Sequence, residues 1–191
     1  MNLFFLSHRL EVSPTLLCDK HIVKMILETA QLLWCAWHCQ YPNLDQYPHP
    51  IKVYRKTHTN HPTSIWVRAC EAHYQYAIYY GMLACLEYTK RYHKVHACQK
   101  HFEYLNHLGF PGNDSNESQK EKTILATKDI PHGLQYIPLC MPHEHIVYDE
   151  QKQPLGIASY QKYYISKQHA FKMTWTKTKT PSFFIKYNNV S

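Results

Sequence analysis

Hydrophobic and polar residues recur with a helical period over the first forty positions of the chain. At about 100° per residue, the segment that follows Asp19 places a broad apolar stripe on one side of a helix. This stripe comprises Ile22, Val23, Ile26, Leu27, Ala30, Leu33, Trp34 and Trp37. Ser13 and Pro14 are typical of an N-cap and a first helical position. The pattern therefore predicts one helix from these two residues to about His38.

The same periodicity predicts three further helices, which are separated by segments where prolines exclude a helix. A helix capped by Asn60 or His61 is expected to reach about Tyr92, followed by helices at about 95–108 and 155–167. Residues 2–6 read as a short buried extended segment, and the remaining connections have the composition of long loops. These are a polar, flexible surface loop at 112–123, irregular chain at 124–150 and a tail at 176–191. The predicted fold is mostly α, a single-domain helical bundle that spans residues 1–191.

A polar face on the first helix is the strongest candidate for a functional site. Opposite the apolar stripe stand an acid, an amide, an imidazole and two amines: Lys20, His21, Lys24, Glu28 and Gln31. Lysines could hold a phosphate while Glu28 or His21 moves a proton, and a desolvated Lys24 could form a Schiff base. The alternative is an ordinary solvated face with an i,i+4 pair between Lys24 and Glu28. Asp19 falls among the apolar residues, where a carboxylate needs a partner such as a neighbouring His or Arg.

Two later groups of residues have similar chemistry. The segment from His58 to Pro62 places imidazoles and Asn60 ahead of a helix N-terminus, where they could bind phosphate or simply cap the helix. His58 and His61 without a third fixed ligand are a weak metal signal, so no metal or cofactor is expected. Near the end of the second helix, Glu87 and Arg91 either form a buried ion pair or line a pocket in which Arg91 holds an anion. Two basic residues, Lys94 and His96, extend this third group.

The C-terminal segment between Tyr160 and Tyr187 is basic and aromatic. It carries six lysines and no acidic residue, with tyrosine, phenylalanine and tryptophan between them. Such a combination suits contact with a nucleic acid strand. The alternative is an amphipathic segment whose rings pack on the core while its lysines face water.

Composition narrows the possible partners and the cellular compartment. A formal net charge of +7 favours anionic partners such as nucleic acid or nucleotides. Seven cysteines without a C-x-x-C pair argue for reduced thiols, and no apolar run is long enough to cross a membrane. A soluble protein of the cytoplasm is expected. Glycine-rich phosphate loops, nucleophile elbows, deaminase zinc patterns and dinucleotide fingerprints are absent from the sequence.

Three spaced motifs follow one another along the chain. They are Asp19-Lys20-His21-x-x-Lys24-Met25-x-x-Glu28-x-x-Gln31, Thr57-His58-x-Asn60-His61-Pro62-x-x-x-Trp66-x-Arg68 and Glu87-Tyr88-x-x-Arg91-Tyr92-x-Lys94-x-His96. Together they resemble a family of small proteins of tailed bacteriophages and other large DNA viruses. The resemblance implies a viral accessory protein, in the cytoplasm of an infected host cell, whose single domain uses the three motifs together. It implies no particular reaction.

The three groups of residues lead to three hypotheses. The first is an enzyme that acts on nucleic acid or nucleotides at a phosphodiester or glycosidic bond. In this enzyme Glu28, His21 and His61 are catalytic, and Asp19, Gln31 and Glu87 support them. Substrate and phosphate are bound by Lys20, Lys24, His58, Asn60, Arg91, Lys94 and His96. The second hypothesis is a basic pocket that sequesters a nucleotide without turnover, and the third is a structural or host-interaction module.

Overall fold

The structure, a computed structural model, describes residues 1–112 and 123–188 of the chain. Within these residues the chain forms six α-helices: α1 (Asp19–Gln40), α2 (Pro62–Val67), α3 (Glu71–Tyr92), α4 (Gln99–Leu108), α5 (Gly156–Ser166) and α6 (Ser182–Asn188). Two small antiparallel sheets pair β1 (Leu125–Ala126) with β2 (Ile137–Pro138), and β3 (Val147–Tyr148) with β4 (Pro154–Leu155). The predicted mostly-α fold is confirmed. The loop predicted at 112–123 lies outside the described residues except for its two ends.

Helices α1 and α3 form an antiparallel pair at the centre of the molecule. At one end of the pair, Trp37 donates a hydrogen bond from Nε1 to the hydroxyl of Tyr74 (2.9 Å). At the other end, Arg91 near the end of α3 reaches Asp19 at the start of α1. Helix α4 packs closely on α3 at Gly81, where a Cβ atom would lie 2.1 Å from the Phe102 ring. Only glycine allows these two helices to approach so closely.

The first helix begins later than the sequence predicted. Residues Ser13–Leu16 form a short 3₁₀ turn, and the backbone is extended at Leu17 and Cys18 before α1 begins at Asp19. The predicted start at Ser13 is wrong because distant side chains bond to this backbone. Arg91 donates to the carbonyl oxygen of Leu17 (2.7 Å), and the N–H of Cys18 donates to the hydroxyl of Tyr164 (2.8 Å). These contacts replace the hydrogen bonds of a continuous helix.

The second predicted helix is two helices, because the chain breaks between Val67 and Glu71. Cys70 is fully extended, with φ −158° and ψ 165°. His73 contacts the carbonyl oxygen of Trp66 through Nδ1 (2.9 Å), and its ring stacks on the Trp66 indole with centroids 4.2 Å apart. Arg68 donates to the carbonyl oxygen of Thr59 (2.7 Å). These contacts fix the corner between α2 and α3.

The third predicted helix also begins later, at Gln99 instead of Val95. His93 adopts a left-handed conformation (φ 54°) that ends α3. Beyond it, the N–H of Cys98 donates to Nδ1 of His96 (3.1 Å) and starts the new helix. The fourth predicted helix agrees with α5 to within one residue at each end.

The predicted extended segment at 2–6 runs through the core. Leu3, Phe4, Phe5 and Leu6 are all buried, and no strand pairs with this segment in the described chain. Both phenylalanine rings contact Tyr160 of α5. The C-terminal part of the chain therefore packs around the N-terminal segment, and residues 124–150 are mostly irregular apart from the two small sheets.

Three buried histidines lead to a prediction about acid stability. Burial lowers the pKa of His21, His73 and His101 to about 4, with a further contribution from nearby lysines at His21 and His101. In the unfolded chain each imidazole has its usual pKa near 6.5, so unfolding takes up protons between these two values. The free energy of unfolding should therefore fall as the pH falls from about 6.5 towards 4. Each histidine contributes a slope of about 1.4 kcal/mol per pH unit in this window.

Urea unfolding between pH 7.5 and 4.5 measures this slope. In the variant His73→Phe, the slope of the unfolding free energy against pH should be smaller by about 1.4 kcal/mol per pH unit between pH 6.5 and 5. The control variant His107→Gln, at an exposed position, should keep the wild-type slope. Equal slopes in the two variants would show that His73 is already charged in the folded protein.

Candidate active site

Glu28 is a largely buried carboxylate near the middle of α1. Its Oε2 accepts a hydrogen bond from the backbone N–H of Asn2 (3.1 Å), and its Oε1 lies 3.2 Å from Nζ of Lys24. The Glu28 side chain is 13% exposed, whereas that of Lys24 is 63% exposed. The carboxylate is thus held by the protein on one side and reached from solvent on the other.

Asn2 connects Glu28 to three other parts of the chain. Its Nδ2 donates to the carbonyl oxygen of Cys140 (2.9 Å). Its Oδ1 accepts hydrogen bonds from the hydroxyls of Tyr160 (3.3 Å) and Thr63 (3.5 Å). The segment that binds Glu28 is therefore fixed by α2, by the chain after β2 and by α5. Sequence reasoning did not find Asn2, because no motif or periodicity marks it.

His61 lies near Glu28 and caps α2. Its Nδ1 accepts the backbone N–H of Thr63 (3.2 Å), so the neutral ring carries its proton on Nε2. Burial, followed by the positive charges of the amino terminus and of His58, lowers the pKa of His61, while the charge of Glu28 opposes this shift. A neutral imidazole with a free N–H donor thus accompanies the carboxylate. The first two motifs meet at this point.

His58 and Asn60 are exposed on the loop that leads to His61. His58 has a left-handed backbone (φ 51°), and its Nδ1 lies 2.6 Å from the hydroxyl of Thr57. The expected phosphate site at the following helix N-terminus has little support, since α2 has six residues and His61 already accepts the N–H of Thr63. The side chains of His58 and Asn60 remain available to a ligand at the rim of the site.

Arg91 occupies a different position from the expected one. Its guanidinium is fully buried and donates from Nε to Glu87 (2.7 Å), from Nη1 to the carbonyl oxygen of Leu17 (2.7 Å) and from Nη2 to that of Thr15 (3.0 Å). Nη1 also lies 3.4 Å from Asp19. Since every nitrogen of this buried group already donates, Arg91 cannot be reached by a substrate phosphate. The structure thus places Arg91 among protein acceptors, and not at an open surface as the expected phosphate site requires.

Asp19 ties the C-terminal segment to the start of α1. Its carboxylate accepts hydrogen bonds from the hydroxyl of Thr174 (3.0 Å) and from the N–H and hydroxyl of Thr176 (3.0 and 2.7 Å). Burial alone would raise the pKa of Asp19, but these bonds and the charge of Arg91 hold it below its usual value. Asp19 is engaged on every side and supports the fold around Arg91.

His21 is buried rather than solvent-facing, which corrects its expected place on the polar face. Its Nδ1 lies 3.0 Å from the hydroxyl of Tyr164, and its ring stacks on Phe4 with centroids 5.2 Å apart. Conversely, Val23 and Leu27, both expected in the core, are 42% and 38% exposed. The buried face of α1 is rotated relative to the predicted apolar stripe, because α5 and the chain after it cover the helix near its start.

The three motifs form two clusters instead of one pocket. Glu28 and His61 make the first cluster, while Asp19, Glu87 and Arg91 make the second. Nine residues of helix, about 13 Å, separate Asp19 from Glu28. Two basic residues follow the end of α3, near the second cluster: Lys94 is exposed, and His96 is half-buried against Tyr88. Gln31 lies one turn beyond Glu28. The expected common anion pocket is therefore not formed.

Comparison with known proteins identifies the family of this chain. Residues 1–100, which include all three motifs, match the family described as pyrimidine dimer DNA glycosylase. The chain belongs to the pyrimidine dimer DNA glycosylase family. No curated protein and no solved structure matches it. Membership in a family of DNA glycosylases supports DNA as the partner and hydrolysis as the type of reaction.

Two further features of the described residues concern membranes and metals. None of the helices in 1–112 and 123–188 is long and apolar enough to span a membrane. The same residues contain no group of three or more His, Cys, Asp or Glu side chains placed to hold a metal ion.

The assignment of Arg91 to the fold leads to a prediction. The variant Arg91→Lys replaces a planar group with several donors by a single ammonium, which cannot reach the acceptors on Glu87, Leu17 and Thr15 together. Unpaired buried groups of this kind cost about 3–5 kcal/mol, so the variant should unfold at much lower urea concentration. The exposed Lys90 pairs with Glu87 at 3.5 Å, and Lys90→Gln should cost less than about 1 kcal/mol.

Binding of duplex DNA by the folded Arg91→Lys protein should keep the salt dependence of the wild type. Unchanged stability together with a weaker salt dependence would return Arg91 to the role of phosphate ligand.

Proposed function

We propose that this protein cleaves the N-glycosidic bond of a damaged pyrimidine in DNA, and that Glu28 acts on the sugar. The observation that carries this proposal is the fixed carboxylate of Glu28, which hydrogen bonds through Asn2 and Thr63 connect to His61, inside the segment that matches the glycosylase family. Because the central group of the site is the carboxylate of Glu28, the geometry favours a reaction in which positive charge develops on the substrate.

Cleavage of a glycosidic bond develops positive charge at C1′ and on the ring oxygen of the sugar. A preorganised carboxylate stabilises this charge and accepts the proton of the water or amine nucleophile that attacks C1′, while the base leaves with the electron pair of the broken bond and is then protonated. Glu28 fits this role because the N–H of Asn2 holds one oxygen, while Lys24 holds the other only from the solvent side. Entry of DNA can displace the exposed lysine from the carboxylate.

His61 supplies a hydrogen-bond donor for the departing base. A leaving pyrimidine accumulates negative charge on its carbonyl oxygens, and the free Nε2–H of a neutral imidazole can donate to it. The lowered pKa of His61 keeps the ring neutral at pH 7, and its contact with Thr63 fixes the ring orientation. His58 and Asn60 stand at the rim, where they can contact the sugar–phosphate backbone.

The exposed apolar side chains of α1 suit a nucleotide that leaves the base stack. Glycosylases extrude the target nucleotide from the duplex before they act on it. Leu27, adjacent to Glu28 in the chain, and Val23 one turn earlier are 38% and 42% exposed. Both provide an apolar surface against which an extruded base can pack.

A sequestering pocket for a free nucleotide has less support than the enzyme. Such a pocket needs cations converging on a phosphate, but Arg91, a fully buried cation, is saturated by protein acceptors. A purely structural role of these residues does not explain why the restrained carboxylate of Glu28 is accessible from solvent. The geometry therefore favours the glycosylase.

The viral origin and the location in a host-cell cytoplasm stay predictions that rest on the resemblance of the three motifs. A repair enzyme of this kind would serve a virus as an accessory protein by removing ultraviolet damage from its DNA during infection. The appearance of alkali-labile abasic sugars in irradiated viral DNA in infected cells would test this role.

The glycosylase proposal predicts the effect of neutralising Glu28. Glu28→Gln keeps the size and a hydrogen-bond acceptor for Asn2 but removes the charge. Cleavage of the glycosidic bond in a duplex with a single cyclobutane pyrimidine dimer, read as the alkali-labile abasic sugar that it leaves, should slow by about 10²–10⁴-fold in single-turnover measurements. Affinity for the same duplex should change by less than about threefold. Wild-type protein that leaves no abasic sugar in this duplex would contradict the proposal.

Lys24→Met provides the matched control at the same site. Since Lys24 is 63% exposed, nothing desolvates its amine for Schiff-base formation. The variant should bind DNA a few-fold more weakly and keep its single-turnover rate to within about tenfold. Borohydride reduction reports any amine attack: an adduct lost only in Lys24→Met would make Lys24 the nucleophile. An adduct that survives in this variant would direct attention to the amino group of Met1, whose charge reaches His61.

A further inference from the structure

A cationic surface lies near the start of α1, about two turns before Glu28. Here Nζ of Lys20 lies 4.7 Å from the centroid of the Phe171 ring. Nearby, Nζ of Lys167, just after α5, lies 3.7 Å from the centroid of the Tyr163 ring. Both ammonium groups therefore rest on aromatic faces in geometries that attract a cation.

These two contacts belong to one continuous layer of rings. The Phe171 ring meets His21 edge-on with centroids 5.3 Å apart, and His21 stacks on Phe4 at 5.2 Å. Phe4 in turn lies 6.2 Å from Tyr163. The rings thus join α1 to α5 and fix the two lysines on the same side of the molecule.

The positive charge of this surface is not neutralised by the protein. In the part of the chain that the structure describes, neither Lys20 nor Lys167 forms a salt bridge. Lys24 is paired with Glu28 and is not part of this surface, but its charge, together with those of Lys167 and Lys20, lowers the pKa of His21 beyond the effect of its burial. Mutual repulsion of this kind is relieved when an anion binds between the lysines.

We infer that Lys20 and Lys167 form a DNA subsite that binds backbone phosphates beside the reacting nucleotide. This inference rests on the proposed function for the position of that nucleotide at Glu28. Eight residues of α1, about 12 Å, separate Lys20 from Glu28. At 3.4 Å per nucleotide along one strand, this span corresponds to roughly three to four nucleotides.

The subsite draws on a part of the chain that the family match does not include. Lys167, Tyr163 and Phe171 all lie beyond residue 100, where the match ends. The rings orient the ammonium groups, and bound phosphate then replaces water around them. The C-terminal part of this chain thereby extends the DNA-binding surface that begins at the catalytic carboxylate.

The subsite is tested by the salt dependence of DNA binding. Lys20→Gln and Lys167→Gln should each weaken binding of an undamaged duplex several-fold at low salt. Each should also reduce the slope of log K against log salt by about 0.9, and the double variant should lose about twice as much. Lys100→Gln, an equal charge change at an exposed position of α4, should leave the slope unchanged.

Two further variants separate phosphate binding from structural effects. Lys20→Arg keeps the charge and should keep the slope. Phe171→Leu keeps an apolar side chain but removes the cation–ring contact, so it should weaken binding less than Lys20→Gln. Thermal unfolding shows whether each variant is folded at the assay temperature.

The outcomes distinguish this inference from the proposed function. Glycosidic cleavage by the wild type, together with an unchanged slope in the double variant or an equal loss in Lys100→Gln, would overturn the subsite alone. A reduced slope in the double variant, with no glycosidic cleavage by the wild type, would overturn the glycosylase proposal and leave a phosphate-binding surface.

Discussion

The buried guanidinium of Arg91 is the interaction on which the rest of the structure depends. A charge removed from water is tolerated only when its hydrogen bonds are satisfied. Arg91 meets this requirement with Glu87 on its own helix and with the backbone carbonyls of Thr15 and Leu17. These bonds determine where α1 begins and how it lies against α3. At the far end of the pair, the contact between Trp37 and Tyr74 completes the alignment.

Glu28 lies on α1 between these two fixed points. Its carboxylate is also fixed by the backbone N–H of Asn2. The side chain of Asn2 is in turn held by Tyr160, Thr63 and Cys140. A carboxylate restrained in this way needs little rearrangement when charge develops on a bound sugar, which is the condition for effective electrostatic stabilisation. The fold thus contributes to the proposed chemistry by holding the carboxylate still. The second half of the chain takes part through Cys140 and Tyr160, although the family match ends at residue 100.

Periodicity and helix-terminus signals were enough to predict a mostly-α chain and the location of its principal helices. The i,i+4 spacing of Glu87 and Arg91 allowed either a buried ion pair or a pocket lining, and the structure has the ion pair. The first motif contained Glu28. Sequence alone could not place the start of α1, because Arg91 and Tyr164, which bond to Leu17 and Cys18, lie far along the chain. For the same reason, the periodicity of α1 predicted a solvent-facing His21, since the residues of α5 that cover it lie far along the chain. Asn2 carries no local signal at all, since its importance arises only from the segments that meet around it.

The central claim, that Glu28 stabilises positive charge on the sugar, has a direct measurement. Duplexes with a single pyrrolidine abasic-site analogue carry a cation where the reacting sugar would, whereas tetrahydrofuran analogues are neutral. The ratio of the dissociation constants for these two duplexes reports how strongly the site recognises the charge. The wild type should bind the pyrrolidine duplex at least about tenfold more tightly, and Glu28→Gln should bind both duplexes equally. Equal affinities in the wild type, or an unchanged preference in Glu28→Gln, would contradict the claim.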